Sequence, residues 1–161
     1  MNLFFKNSQN KVLAILGVLI LVFNLWLLPL GTEGKIPLDL KFGYDTKEAF
    51  EVLEELGATI LPKYRFGLLV TDMIYPFVYG GFLSLLLLRV WGKRWILMFP
   101  VLVMLLDIDE NLSILTLVDT FPQLSDSDVE RASLLTSAKW VMVGVTFSIL
   151  IAGSIKGRFR K

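Results

Sequence analysis

The chain has 161 residues, of which 55% are apolar and only 19% are charged, whereas a soluble domain carries about 25% charged residues. Its formal net charge of +1 gives no general attraction to nucleic acid, and the absence of Cys and His excludes disulfides, thiolate chemistry and the commonest metal ligand. The apolar residues form four blocks, each near the ~20 residues that cross a bilayer. The sequence therefore predicts an all-α polytopic membrane protein, a four-transmembrane-helix bundle with one domain over residues 1–161.

The first predicted membrane helix covers about residues 12–30 and follows a polar start that contains Lys6 and Lys11. A positive start before a hydrophobic stretch is also typical of a signal peptide. Here the apolar run is long for a signal core, and Leu-Pro-Leu-Gly follows it instead of a small-x-small cleavage site. We therefore predict an uncleaved helix, whose one strongly polar residue is Asn24.

An insertion of mixed charge, residues 31–65, follows the first helix. Within it, Asp45 and Glu48 have the spacing of a capping box that opens a helix. Apolar residues then recur at helical spacing over 46–56, and Gly57 suits the position just past a helix end. We expect a short amphipathic helix outside the cytoplasm, over the mouth of the bundle or on the membrane surface.

The other predicted membrane helices cover about residues 66–90, 95–118 and 128–154. The second holds Asp72, Tyr75, Pro76 and Tyr79, the third holds Asp107, Asp109, Glu110 and Asn111, and the fourth holds Lys139 and Trp140. Lys and Arg concentrate at the two termini and in the connection 89–94, whereas the loop 119–131 has one basic residue. By the positive-inside rule we expect both termini in the cytoplasm of a bacterial inner membrane.

Charged side chains inside a membrane are costly and usually functional, so the polar residues of the four helices indicate a site. Counted at about 1.5 Å per residue from the outer helix ends, they lie about 9 to 16 Å deep. With about 100° per residue, the third helix directs Asp107, Glu110 and Asn111 to one face, while Asp109 points away. The sequence therefore predicts that residues of all four helices meet in one outer-half layer, namely Asn24, Asp72, Asp107, Glu110, Asn111 and Lys139.

Three acids in this layer, Asp72, Asp107 and Glu110, face one base, Lys139. Lys139 is interpreted as a counter-ion rather than a nucleophile. We expect at least one of the carboxyl groups to hold a proton near neutral pH, and a hard cation could replace that proton. The sequence has no recognisable metal-binding spacing, and we predict no metal and no cofactor.

The first hypothesis is an acidic intramembrane pocket that binds a lipophilic or amine-bearing small molecule or a lipid. Asp107 and Glu110 are its candidate acid/base or cation-pairing groups, and catalysis by proton transfer stays open. The remaining residues that we expect to contact the ligand are Asp72, Tyr75, Tyr79, Asn111, Lys139, Asn24 and Trp140.

Two alternatives stay open. In the first, the protein is a non-enzymatic accessory or assembly subunit, and its buried ions only hold the helices together. In the second, it couples transport to ions or protons, for which four helices are few unless the chain forms a homodimer. Expected partners are membrane lipid, the small molecule and a second copy or another membrane subunit; nucleic acid is not expected.

The motifs Asp72-Met-Ile-Tyr75-Pro76 and Asp107-Ile-Asp-Glu110-Asn111 resemble those of a group of uncharacterised bacterial four-helix membrane proteins. The similarity includes Lys139-Trp140 in the last helix and the sequences Phe42-Gly43-Tyr44 and Leu56-Gly57 in the insertion. This resemblance covers about residues 42–140 and implies a shared fold without an assigned activity.

The layout also resembles, more distantly, the EXPERA superfamily of emopamil-binding-like sterol isomerases. The shared features are four or five helices, a long loop after the first, a tight basic connection between the second and third, and buried acids around a lipophilic cavity. The resemblance implies a cavity for a lipophilic, cationic ligand. Such isomerases use His, which this chain lacks, and the first helix here offers Asn24 instead of an acid, so sterol isomerisation is not implied.

Overall fold

The computed structural model describes the backbone of residues 3–158 and the side chains of residues 8–156, and within these ranges every regular element is helical. The prediction of an all-α fold is confirmed. Part of the orientation prediction depends on Lys6, Arg158, Arg160 and Lys161, whose side chains lie outside the described residues.

Five α-helices, four long and one short, account for the fold. Helix α1 covers residues 3–32 and contains a π-helical turn at Phe23–Leu27. Helix α2 covers 46–56, and α3 covers 58–91 with a π-helical turn at Gly67–Thr71. Helices α4 and α5 are Met98–Thr120 and Asp126–Arg158. Short 3₁₀ turns lie at Leu38–Leu40 and Arg94–Leu97.

The amphipathic helix α2 is bounded as the sequence predicts. The Asp45 carboxylate accepts the Glu48 backbone N–H at 2.8 Å, and the Glu48 carboxylate accepts the Asp45 N–H at 3.2 Å, which completes the capping box. Gly57 ends α2 with φ 62° and ψ 178°, a conformation open essentially only to glycine. Helix α3 then begins at once, eight residues before the segment predicted to cross the membrane.

A buried core lies at the end of the bundle beneath α2, which is called the outer end because the sequence predicts it outside the cytoplasm. Apolar residues of α2 pack there against the ends of α3, α4 and α5. Leu53, Ile114 and Leu117 are fully buried, and burial of each such side chain contributes about 1.5–3 kcal/mol. The α2 helix therefore joins the three helices at one end and is not a loosely attached surface element.

Three helical segments are long and apolar enough to span a membrane: Ser8–Thr32, Thr46–Trp91 and Asp126–Lys156. Helix α4 has 23 residues but carries Asp107, Asp109 and Glu110 near its middle, and it does not belong to this group. The helices α3, α4 and α5 pack on one another, whereas α1 packs mainly on α3. A gap therefore separates α1 from α5.

The segment between α1 and α2, residues 33–45, is named the strap because it crosses the outer end of the bundle. Glu33 and Gly34 have left-handed φ values of 52° and 83°, which turn the chain back over the helices. At its start the Lys63 ammonium contacts the Glu33 carboxylate at 2.5 Å. The Lys35 ammonium donates to the Glu55 carbonyl of α2.

The other half of the strap is attached to α5. The Ser137 hydroxyl donates to the Phe42 carbonyl at 2.6 Å, and the Ser133 hydroxyl accepts the Tyr44 N–H at 2.9 Å. Leu38 is fully buried between the strap and the helices. The strap therefore spans from α3 to α5 directly above the predicted polar layer.

Candidate functional site

Lys139 is the centre of the polar cluster. Its ammonium lies 2.5 Å from Glu110 Oε2 and 3.3 Å from Asp107 Oδ1, and it donates to the Asp39 carbonyl at 3.3 Å. The side chain is 10% exposed. A lysine ammonium has three N–H donors, and each has an acceptor here. This geometry matches a counter-ion and leaves no lone pair for nucleophilic attack.

Glu110 is sealed inside the bundle, with 0% exposure. The Thr136 hydroxyl donates to Glu110 Oε1 at 2.6 Å, while Lys139 occupies the other carboxylate oxygen. Glu110 lines neither of the cavities described below. Of the two candidate acid/base residues it is therefore the one without access to a ligand.

Asp107 is buried but borders open space. Its Oδ2 accepts the Tyr79 hydroxyl at 2.8 Å, and its Oδ1 faces Lys139. Tyr79 packs edge-on against Tyr75 with 5.1 Å between ring centroids, and the Asn24 amide donates to the Tyr75 hydroxyl at 2.5 Å. A continuous row of polar groups therefore runs from α1 to α5.

Asp72 differs from the other carboxylates. The Asn111 amide donates to its backbone carbonyl at 2.9 Å. Within residues 8–156, however, no donor forms a hydrogen bond with its carboxylate. The side chain lines both cavities, where it can accept a hydrogen bond from a ligand or from water.

Asp39 belongs to the cluster although sequence reasoning missed it. It lies in the 3₁₀ turn of the strap, and the Tyr64 hydroxyl donates to its carboxylate at 3.0 Å. Its carbonyl accepts the Trp140 indole N–H at 3.2 Å as well as the Lys139 ammonium. Burial raises the pKa of Asp39, and the positive charge of Lys139 offsets part of that rise. Its only sequence signal is the apolar pair that flanks it, Leu38 and Leu40.

The inner cavity, of about 330 Å³, lies between α1, α3, α4, α5 and the strap. Its upper wall carries the carboxylates, the middle carries aromatic rings, and the lower wall is apolar, with Phe82, Val143 and Phe147. Eight of the nine predicted site residues line it; Glu110 is the exception, and the eight are Asn24, Asp72, Tyr75, Tyr79, Asp107, Asn111, Lys139 and Trp140.

The outer cavity, of about 260 Å³, lies between the end of α1, the strap and the π-helical turn of α3. It shares five lining residues with the inner cavity, namely Asn24, Leu28, Asp39, Leu40 and Asp72. The two carboxylates Asp39 and Asp72 therefore stand where the two cavities meet.

The charge of the cluster is unbalanced. Four acids, Asp39, Asp72, Asp107 and Glu110, face the single base Lys139. Four other basic side chains at this end contact other acids: Lys63 with Glu33, Lys35 with Glu55, Arg65 with Asp119, and Arg131 with Asp109. The last pair, at 2.9 Å, confirms that Asp109 lies outside the inner cluster.

Comparison of the chain with protein-family models, with curated proteins and with solved structures finds no match. The two resemblances described above therefore remain expectations, and the geometry of the site is what bears on function.

Proposed function

We propose that this protein is a four-span membrane protein that binds an amine-bearing lipophilic molecule or lipid in the inner cavity. The observation that carries the proposal is the carboxylate of Asp72. No donor within residues 8–156 forms a hydrogen bond with this carboxylate. It lines the inner cavity, whose lower wall is apolar and whose acidic side chains outnumber its one basic side chain. A positively charged amine is the ligand group that supplies both the missing charge and the missing donors.

A belt of exposed apolar side chains supports four spans. Exposed residues of this kind occur on α1, α3, α4 and α5, and include Leu25, Phe77, Leu102 and Val145. On α4 the three carboxylates do not prevent a span, because Asp107 and Glu110 are buried and paired. Asp109, also near the middle of α4, is paired with Arg131. The 23 residues of α4 extend about 34 Å, enough to cross a hydrocarbon core of about 30 Å.

The apolar belt also gives the depth of the site. Four cluster residues lie five or six positions from the outermost exposed apolar residue of their helix: Asn24 from Leu30, Asp72 from Phe66, Asp107 from Leu112, and Lys139 from Leu134. At about 1.5 Å per residue all four lie about 8–9 Å below the outer edge of the belt. This common depth agrees with the headgroup side of an outer-leaflet ligand.

The gap between α1 and α5 supports access from the membrane. Asn24 and Phe147 border the inner cavity on opposite sides of this gap, and both are exposed. The apolar lower wall continues toward the membrane core, while the strap covers the outer end. A lipophilic ligand then enters sideways, with its amine at Asp72 and its chain along Phe82 and Val143.

Proton transfer, if the protein is an enzyme, involves Asp107 and Tyr79 in this proposal. Their 2.8 Å hydrogen bond borders the cavity, so a ligand can reach the phenol. Glu110 instead holds Lys139 in place.

The proposed orientation has both termini in the cytoplasm. The helix α2, the strap and the loop between α4 and α5 then lie on the opposite side of a bacterial inner membrane.

The test measures binding of dodecylammonium to the protein in nanodiscs, by the shift of the thermal midpoint at increasing amphiphile-to-lipid ratio. We expect Asp72→Asn to weaken binding at least tenfold, because the amine loses its charge partner. Asp109→Asn, which removes a carboxylate outside the cluster, serves as the matched control. Equal binding to wild type and Asp72→Asn contradicts the proposal.

One observation favours the alternative of an accessory subunit with a structural ion network. The ions Lys139, Glu110 and Asp107 pair tightly, and a buried network of this kind can fix helix packing without a ligand. The double variant Asp107→Asn with Lys139→Met separates the two functions. If the folded variant keeps its cellular role, the network is structural; if it folds but loses that role, the cavity is functional.

A further inference from the structure

The outer cavity adjoins the inner cavity but has walls of its own. Apart from the residues shared with the inner cavity, its lining comes from the end of α1, the strap and the π-helical turn of α3. Leu27 and Thr71 line it and do not line the inner cavity. Conversely, Val143 and Phe147 line only the inner one.

Two of its polar side chains, Asp39 and Asp72, are carboxylates that accept hydrogen bonds. The carboxylates of Asp72 and Asp39 meet at its inner end, and the Tyr64 hydroxyl already donates to Asp39. Lys35 also lines the cavity, but its ammonium donates to the Glu55 carbonyl and lies within 4.0 Å of the Glu55 carboxylate. Within the described residues, the Asp72 carboxylate is left to accept donors from a guest.

Its size and position indicate a small ligand from the aqueous side. The volume of about 260 Å³ is below the ~300–1,000 Å³ of cavities that hold drug-sized molecules. Its rim includes the exposed residues Gly34 and Ile36 of the strap, beyond the outer end of α1. A ligand here therefore needs no lipid chain.

We propose that the outer cavity binds a small water-soluble organic ammonium ion, which reaches the outer side of Asp72 while a membrane-borne amine reaches its inner side. The proposal rests on the assignment of Asp72 as the cation-pairing group of the inner cavity. Because one carboxylate serves both cavities, the two ligands compete for it. The protein then senses or exchanges amines between the water and the membrane.

The experiment uses the full chain in nanodiscs, with methylammonium and dodecylammonium as probes at constant ionic strength maintained with NaCl. Leu27→Trp fills the outer cavity at a partly lipid-exposed position, and Leu25→Trp, exposed on the same helix and lining neither cavity, is its matched control. Val143→Trp fills the inner cavity, with Val141→Trp as control. The thermal midpoint reports binding.

We expect Leu27→Trp to abolish the methylammonium shift and to preserve the dodecylammonium shift, and Val143→Trp to do the reverse. Saturating methylammonium should raise the apparent Kd of dodecylammonium at least fivefold in wild type. If dodecylammonium binds but methylammonium neither binds nor competes, the outer site is refuted while the proposed function stands. The same holds if Leu27→Trp leaves the methylammonium shift intact. If neither probe binds wild type, both fail.

Discussion

At the scale of single residues, the structure assigns different tasks to acids that look alike in sequence. Glu110 and Asp107 are each satisfied by Lys139 and by one hydroxyl, from Thr136 and Tyr79 respectively. Asp72 has neither kind of partner within the described residues. The most available carboxylate is therefore not one of the two in the Asp107–Asn111 motif, but the one on the neighbouring helix.

Thr136 is predicted to stabilise the folded protein, although it carries no charge. Thr136→Val keeps the shape but leaves Glu110 Oε1 buried without a donor, which costs about 1–3 kcal/mol. The measurement is the free energy of unfolding in mixed micelles. Thr116→Val, which removes an exposed hydroxyl bonded to its own helix, should change that free energy by less than about 0.5 kcal/mol.

Asp39 should make stability depend on pH in the direction opposite to a salt-bridged acid. Its pKa in the folded state is raised above 3.8, so the folded protein binds its proton more tightly than the unfolded chain. This contribution is complete below about pH 3.8 and is lost as the pH rises through the raised pKa. As the pH rises from about 3.8 through the raised pKa, we expect the free energy of unfolding of wild type to fall relative to that of Asp39→Asn. A difference that stays flat over this pH range would contradict the expected pH dependence.

At the scale of elements, the strap and α2 cover one end of the four long helices. Their positions depend on the capping box at Asp45 and on the sharp turn at Gly57. The α2 helix packs into the outer core, while the strap supplies Asp39 above the cavities. The strap, and not α2, therefore covers the cavities, and α2 holds the strap in place.

Gly57→Ala should destabilise the protein by about 1–3 kcal/mol, because a side chain is strained at φ 62° and ψ 178°. The free energy of unfolding in mixed micelles gives the cost. Gly144→Ala is the matched control, since Gly144 is helical and an added Cβ meets nothing within 4 Å. That control should be neutral or slightly stabilising. Equal costs for the two variants would argue against a constrained turn.

The helices and the polar face of α4 could be predicted from sequence because both follow from local periodicity. Asp107, Glu110 and Asn111 fall on one side of a 3.6-residue helix wherever that helix packs. Asp39 could not be predicted, because its position depends on how a non-periodic loop folds back over the bundle. The sealing of Glu110 was likewise hidden, since it depends on Thr136 of another helix.

At the scale of the whole molecule, the exposed apolar belt, the lateral gap and the two cavities support the proposal of an outward-facing site in the outer leaflet. The chain has no Cys, so single cysteines report topology without background. Lys47→Cys and Ser127→Cys should react with an impermeant maleimide in intact cells, and Ser8→Cys only after permeabilisation. The reverse pattern would invert the proposed orientation and place the strap in the cytoplasm.

In the proposed function an amine-bearing lipophilic ligand occupies the inner cavity between α1, α3, α4 and α5. The most direct measurement is photo-crosslinking in nanodiscs with a dodecylammonium analogue that carries a diazirine on its chain, followed by mapping of the labelled residues. We expect labelling to concentrate near Phe82, Val143 and Phe147, to be prevented by unlabelled dodecylammonium and to be reduced by Asp72→Asn. Uniform labelling of the exposed apolar belt, for example at Leu102 and Leu105, that unlabelled dodecylammonium does not prevent would contradict binding in the inner cavity.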